Sequence, residues 1–150
     1  MVTTTSAGQN IAIAFKHVNE YAHIWDDRGS GADRDVSIWK PVDIESGFFA
    51  LGDTASASHR KPDAHSMTVS ALIDGTLAPP VGFTEEWNDA GSGANADVRI
   101  MRMNPPSGYT CLGHVAVQGH GSTPDPNQYR YVTPCERNGM LVLYYACRIY

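Results

Sequence analysis

The sequence predicts an all-β fold, a β-sandwich or β-prism-like single domain built from two similar half-repeats of about 62 residues. The first observation is a repeat: WDDRGSGADRDVSIW (25–39) returns as WNDAGSGANADVRIM (87–101) with nine identical positions. The second is the frequency of turn-forming residues, since 14 Gly and 9 Pro separate short apolar runs along the 150 residues. The third is that no segment shows a sustained apolar stripe of period 3.6, so we expect no amphipathic helix.

Each expected strand has its own pattern. IAIAF (11–15) is short, apolar and partly alternating, whereas DVSIW (35–39) and DVRIM (97–101) place β-branched residues at period two. QYRYV (128–132) alternates polar and aromatic residues. MLVLYYACRIY (140–150) is apolar nearly throughout, as a central buried strand would be. We therefore predict many short strands separated by tight turns.

The repeat extends through most of the chain. Each copy continues with a G-aromatic-x-x-L-G motif and then a Pro-Asp pair. These motifs are GFFALGD (47–53) and GYTCLGH (108–114), followed by KPD (61–63) and TPD (123–125). Two units without a linker predict one domain over residues 1–150. We expect half-repeats at about 11–75 and 76–138 and a C-terminal strand at 139–150.

Composition excludes several classes of protein. A formal charge of −5, from 16 acidic and 11 basic residues, argues against a nucleic-acid binder, which needs a basic face. No stretch is long or apolar enough to predict a transmembrane segment. The N-terminus has no basic residue before its short apolar run, so it lacks the form of a secretory signal. Either the protein is cytoplasmic or a signal has already been removed, and the initiating Met1 favours a cytoplasmic protein. The three cysteines, Cys111, Cys135 and Cys147, show no C-x-x-C spacing and are expected to be reduced and largely buried.

The repeated G-S-G-A stretch predicts a turn. Gly29 and Gly31 flank Ser30, and two glycines so spaced permit positive φ and a tight reversal. Asp27 precedes the turn by two residues, where its carboxylate can accept hydrogen bonds from turn amides. One interpretation is therefore purely structural: a carboxylate-capped turn between two strands, with the matching tryptophan, Trp25 or Trp87, anchored in the core.

The other interpretation is a binding loop rich in acids and amides. The first copy carries Asp26, Asp27, Asp33 and Asp35, and the second carries Asn88, Asp89, Asn95 and Asp97. Carboxylate and amide oxygens are ligands of hard cations, so Ca²⁺ is one alternative. The spacing does not match an EF-hand, and the second copy has half the acids. We therefore assign no metal site and expect no cofactor.

The same groups could hold sugar hydroxyls, because carboxylates accept and backbone amides donate hydrogen bonds, while an aromatic face stacks on a pyranose. Trp39 is matched by Met101, which argues against a required role in the scaffold. If any tryptophan is exposed for recognition, we expect it to be Trp39. The candidate ligand-binding residues are Asp27, Ser30, Asp33, Asp35, Trp39, Asp89, Ser92, Asn95 and Asp97.

Catalysis has little support in the sequence. The six histidines are scattered, and no G-x-S-x-G elbow presents a serine or cysteine nucleophile. The G-S-G-A loop lacks the Gly-Lys-Ser/Thr ending of a phosphate-binding loop. We expect no enzyme and no catalytic residues, and we expect the histidines to have surface or structural roles.

The motifs resemble those of the vacuolar protein sorting-associated 62-type domain, and the same pattern recurs in the adaptor-binding repeats of bridge-like lipid-transfer sorting proteins. The first copy (25–53) matches W-x-D-x-G-S-G-A-x-x-D-V-S-I-W-x-P and G-aromatic-x-x-L-G-D closely. The second copy (87–114) departs from it: Met101-Arg102-Met103 replaces Ile/Trp-x-Pro, and His114 replaces Asp. The resemblance implies an all-β, non-catalytic recognition module. In the adaptor-binding repeats such modules hold short proline-containing peptides.

The leading hypothesis is a small soluble lectin-like protein whose partner is a carbohydrate. The first alternative is a module that binds a short peptide or adaptor. The second alternative is a membrane-active or toxin-associated domain, because related small domains accompany pore-forming or membrane-associated proteins. Two equivalent loops would make carbohydrate binding bivalent, which raises avidity without new contacts. Self-association into a homo-oligomer is left open.

Overall fold

The computed structural model describes the backbone of residues 2–4, 10–132, 136–137 and 140–141, and side chains within 13–132. Within these ranges the chain is all-β, as predicted. It contains no α-helix there, and its one helical element is a short 3-10 turn at Pro126–Gln128, where the Asp125 side chain accepts a hydrogen bond from the Asn127 N–H. The segment predicted to form the C-terminal strand lies outside the described residues except at 140–141, as do Cys135 and Cys147.

The strands are short and are joined by both tight turns and longer loops. They are β1 (Val2–Thr4), β2 (Asn10–Val18), β3 (Tyr21–Asp26), β4 (Ser37–Pro41), β5 (Phe49–Ala50), β6 (Thr54–Ser56), β7 (Ser66–Ala71), β8 (Leu77–Ala78), β9 (Gly82–Asn88), β10 (Val98–Asn104), β11 (His114–Gln118), β12 (Tyr131–Val132), β13 (Glu136–Arg137) and β14 (Met140–Leu141). IAIAF therefore lies in β2, DVSIW and DVRIM lead into β4 and β10, and QYRYV ends in β12.

Two three-stranded sheets have the same construction. The first sheet has the order β3-β4-β6, and the second has the order β9-β10-β11, all antiparallel. Trp25 pairs with Ile38 in the first sheet, and Trp87 pairs with Ile100 in the second. The pairing register shifts just before each tryptophan, which leaves one extra residue on β3 and on β9. The repeated sequence thus forms the same hairpin and the same bulge in both sheets, while the division of the chain at about 11–75 and 76–138 stays a prediction.

The remaining strands combine segments from distant parts of the chain. The order β1-β2-β7-β5 makes a four-stranded sheet, β8 pairs with β12, and β13 pairs with β14. All the pairs between these strands are antiparallel. The protein is therefore assembled from several small sheets whose apolar faces share a core.

The core lies between the sheets in three apolar clusters. One joins the first and second sheets and contains Ile24, Trp25, Ile38, Val98 and Ala116. A second packs the second sheet against β5 and the Tyr129–Tyr131 segment through Ala50, Met101, Met103, Val115, Tyr129 and Tyr131. A third, made of Ile13, Val69 and Val132, lies under the four-stranded sheet. Burying these side chains is the main source of stability, at about 25 cal/mol per Å² of apolar surface.

The two L-G motifs meet each other in the backbone. A Cβ added to Gly52 would lie 2.9 Å from His114 O, and one added to Gly113 would lie 2.8 Å from Leu51 O. Asp53 follows Gly52, and its N–H donates to His114 O at 2.9 Å. This close approach explains why both copies keep a glycine after the leucine.

Candidate ligand-binding site

Each G-S-G-A segment is a turn closed by an aspartate. In the first loop (27–36) the Val36 N–H donates to Asp27 Oδ1 at 3.1 Å, and the Ser30 N–H donates to Asp27 O at 3.0 Å. In the second loop (89–98) the Val98 N–H donates to Asp89 Oδ1 at 2.8 Å in the same way. Asp27 and Asp89 therefore cap their turns, as the sequence predicts.

The two loops lie against each other. The Asn95 N–H donates to Arg28 O at 2.7 Å, which joins the second loop to the first. Gly29 has a φ of +93°, and a Cβ at this position would collide with the Asn95 side chain. The Trp25 indole N–H also crosses to the second loop and donates to Ala96 O at 2.6 Å. The duplicated segments therefore form one continuous surface instead of two separate loops.

A cavity of about 460 Å³ opens where the loops meet. Trp25 and Trp87 line this loop cavity. Its polar lining residues include Ser30, Ser92, Arg34 and Asp27. Its volume lies within the range of about 300–1,000 Å³ that is usual for small-molecule sites. Its lining is mainly apolar, and its polar groups are the two serine hydroxyls, the Arg34 guanidinium and the Asp27 carboxylate.

The tryptophans differ from the prediction. Trp25 is buried, with 4% of its surface exposed, but Trp87 is 45% exposed and is not a core anchor. The two indole rings meet edge to face at 6.2 Å between centroids. Because Trp25 fills the space between the loops, Trp87 packs on its edge at the rim of the cavity. The equivalent sequence positions therefore have different environments.

Trp39 was expected to be the exposed tryptophan, and this expectation is wrong. Its side chain is partly buried on β4, outside the loop cavity. The Trp39 indole N–H donates to Ser37 Oγ at 2.7 Å, and the ring lies 4.9 Å from the His23 ring. These contacts hold it against the first sheet, so its role is explained by packing.

A histidine joins each loop from a later part of the chain. His59 Nε2 lies 2.6 Å from Asp27 Oδ1 and 3.7 Å from Asp35 Oδ1. The second loop repeats the contact, since His120 Nε2 lies 2.8 Å from Asp89 Oδ1 and near Asp97. We call these groups the first and second Asp-Asp-His clusters.

Burial and hydrogen bonding shift the pKa values of the two capping carboxylates in opposite directions. Burial raises the pKa of Asp27, but the hydrogen bond with His59 and the Val36 N–H outweigh it, so the net pKa is lowered from 3.8. For Asp89, burial is outweighed by the Val98 N–H and by His120, and its pKa is also lowered. Both groups are therefore held as carboxylates.

The remaining candidate residues lie in different places relative to the loop cavity and the Asp-Asp-His clusters. Ser30 and Ser92 line the loop cavity, whereas Asn95 is exposed, with its side chain next to Gly29 of the first loop. Asp35 and Asp97 are exposed and lie in the Asp-Asp-His clusters. Asp33 is exposed and lies outside both the cavity and the clusters. Binding by any of these residues stays a prediction.

Three residues of this region are not among the candidates predicted from the sequence: His59, His120 and Arg34. The histidines had a detectable signal, because each lies a few residues before the Pro-Asp pair of its copy. Arg34 had none, since Ala96 occupies the matching position. Its place beside the cavity depends on how the two loops meet.

A second cavity, of about 340 Å³, has a separate lining that includes three aromatic side chains. We call it the aromatic cavity, and it is lined by Phe48, Phe49, Tyr129 and Lys40 among others. The Lys40 ammonium lies 5.5 Å from the Tyr129 ring centroid. The guanidinium of Arg130 lies 3.7 Å from the Phe49 centroid, so cations border the aromatic surface.

Comparisons with known proteins agree with this architecture. The family model described as vacuolar protein sorting-associated protein 62 matches residues 7–139. No curated protein matches the chain. A solved structure, the crystal structure of GNIP1Aa from Chromobacterium piscinae, is similar with a TM-score of 0.70 and 30% sequence identity. The match covers 81% of this chain and 24% of that chain. No helix in the described residues is long and apolar enough to cross a membrane.

Proposed function

Because this chain belongs to the vacuolar protein sorting-associated protein 62 family, whose model covers residues 7–139, we propose that it is a non-catalytic recognition module. Its ligand is a carbohydrate, bound in the loop cavity. The proposal combines the sequence-based lectin-like hypothesis with the cavity between the duplicated loops. The cytoplasmic location predicted from the sequence belongs to the same proposal.

The exposed indole of Trp87 is the observation that carries the proposal. A tryptophan that is 45% exposed at the rim of a cavity leaves a large apolar face in contact with water. Such a face is a favourable platform for the apolar side of a sugar ring, and tryptophans that anchor ligands in this way dominate binding energies. The edge contact with Trp25 holds the ring in place, so little conformational entropy is lost on binding.

Polar groups around the indole supply orientation. The Ser30 and Ser92 hydroxyls can donate and accept hydrogen bonds, whereas the Arg34 guanidinium can only donate. Asp27 Oδ2 can accept from a ligand hydroxyl, because the capping bonds use Asp27 Oδ1. Donors and acceptors therefore surround an apolar platform, which matches the alternation of C–H faces and hydroxyl edges on a pyranose.

A glycan array identifies the sugar, and calorimetry with the selected glycan then compares variants. We expect Trp87→Ala to lose about 2 kcal/mol of binding free energy, which is about thirtyfold in Kd. Trp39→Phe is the matched control, because Trp39 lies outside the cavity, and its affinity should equal that of the native protein. Equal affinities for the native protein and Trp87→Ala would refute binding in the loop cavity.

The second candidate function is peptide binding in the aromatic cavity. Its aromatic lining favours a proline-containing segment, because polyproline II segments dock into aromatic grooves. Fluorescence anisotropy with labelled proline-rich peptides tests this function. Tyr129 is part of the core, so Phe48→Ala is the variant that removes aromatic surface with the least effect on the fold. A peptide that binds and is not displaced by the array-selected sugar would support this second site.

A further inference from the structure

The two Asp-Asp-His clusters are the strongest feature of the molecule that sugar recognition does not use in full. Each brings two carboxylates and one imidazole together from separate parts of the chain. In both, the potential donor atoms lie within 4.8 Å of one another. This spacing allows one ion to contact all three side chains.

We propose that the first cluster, Asp27, Asp35 and His59, binds one divalent transition-metal ion. The second cluster, formed by Asp89, Asp97 and His120, binds a second ion in the same way. Each loop is then fixed by one metal ion, and the two ions lie at equivalent positions of the repeat.

The way the repeat has diverged supports a ligand more than a turn alone. Asp26 and Asp33 of the first loop are replaced by asparagines in the second loop. The acids of the cluster are instead kept as aspartates in both copies, at Asp27 with Asp89 and at Asp35 with Asp97. Within the two loops, only the acids that lie in a cluster have retained their charge.

The turn geometry does not account for the second aspartate of each cluster. Asp27 accepts the Val36 N–H and so has a structural role. Among the described residues, the Asp35 carboxylate has no interaction except the 3.7 Å approach to His59, which is too long for a hydrogen bond. The Asp97 carboxylate likewise approaches only its cluster. Each copy nevertheless contains one aspartate whose carboxylate caps nothing.

The histidines provide an independent argument. They are not part of the repeated Trp-to-Ile stretch but come from the segments before the Pro-Asp pairs. Each nevertheless directs Nε2 at the capping aspartate, at 2.6 Å in the first cluster and 2.8 Å in the second. Imidazole with carboxylates selects transition metals such as Zn²⁺ or Mn²⁺ over Ca²⁺, which prefers oxygen ligands alone. Three protein ligands leave positions for water.

The test is the number of ions bound by chelator-treated protein, measured by calorimetry with Zn²⁺ and by electron paramagnetic resonance with Mn²⁺. No sugar is present, so the result is independent of the proposed function. We expect two ions in the native protein, one in His59→Ala or His120→Ala, and none in the double variant. Asp33→Asn is the matched control from the same loop and should keep two ions. Two ions retained by the double variant, or no binding by the native protein, would overturn the proposal.

A second pair of variants separates metal binding from folding. Asp35→Asn and Asp97→Asn remove carboxylates that cap no turn, so the folded state should survive in both. Loss of a partner outside the coordination sphere typically costs about 10–100-fold in metal affinity, and loss of a ligand should cost at least that. Saturating Zn²⁺ should raise the Tm of the native protein and leave that of the double histidine variant unchanged. An equal rise in both proteins would contradict the assignment.

Discussion

At the residue scale, equivalent positions of the repeat have acquired different roles. Trp25 and Trp87 occupy the same register of their sheets, yet one is buried and the other forms the rim of a cavity. Asp53 and His114 are also equivalent, but it is the half-buried Asp53 whose side chain accepts hydrogen bonds from two core residues. Ala116 N–H donates to its Oδ2 at 2.7 Å, and the Tyr129 hydroxyl donates to its Oδ1 at 3.0 Å.

The environment of Asp53 predicts a pH dependence of stability. Burial raises the pKa of this carboxyl to about 6 from 3.8, although the Ala116 N–H, Lys40 and the Tyr129 hydroxyl oppose the shift. Between these two values the folded state binds more protons than the unfolded state. Stability contributed by the protonated group is therefore complete below pH 4 and is lost as pH rises towards 6.

Thermal melts across this pH range, compared with those of Asp53→Asn, isolate the contribution. Asparagine is isosteric and does not titrate, so the difference in Tm between the two proteins should change between pH 4 and 6 and stay constant above pH 7. A difference that does not vary with pH would show that the Asp53 carboxyl titrates normally.

At the element scale, the turn between β3 and β4 depends on glycines whose surroundings differ. Gly29 and Gly31 both have positive φ, at +93° and +72°. A Cβ at residue 29 would collide with Asn95, whereas one at residue 31 has open space. The first turn is therefore built to fit the second loop as well as to reverse the chain.

Alanine substitutions separate these two effects. Gly31→Ala should cost about 1–2 kcal/mol of unfolding free energy, from the left-handed backbone conformation alone. Gly29→Ala should cost about 1–3 kcal/mol more, because the Asn95 side chain must move. Chemical denaturation measures both, and equal losses would mean that the loops do not contact each other in solution.

At the scale of the whole molecule, the two L-G motifs hold the sheets together through backbone contact. Gly52→Ala should be among the most destabilising substitutions, since its Cβ would meet the backbone of His114, which cannot rotate away. We expect a loss of more than about 3 kcal/mol, or no folded protein. Gly121→Ala is the control, with open space around its Cβ, and should change stability by about 0.5 kcal/mol or less. Similar denaturation midpoints for both variants would contradict the close crossing.

The strands could be predicted from the sequence, but several residues of the candidate site could not. Periodicity and turn residues predicted β-structure, because both depend on local alternation and on glycine conformations. The carboxylate-capped turns were predicted for the same reason. Trp87, Arg34 and the histidines were missed, since their roles depend on how the two loops meet. The similarity of the two copies also led to a wrong prediction, because it placed Trp87 in the core with Trp25.

The Trp87 indole, beside the junction of the duplicated loops, is where we propose that a sugar binds. Nuclear magnetic resonance of nitrogen-labelled protein observes the three indole N–H signals separately during titration with the array-selected glycan. We expect a saturable shift of the Trp87 signal and none of the Trp39 signal, since Trp39 lies outside the cavity. A saturable shift of the Trp39 signal with an unchanged Trp87 signal would rule out sugar binding beside Trp87.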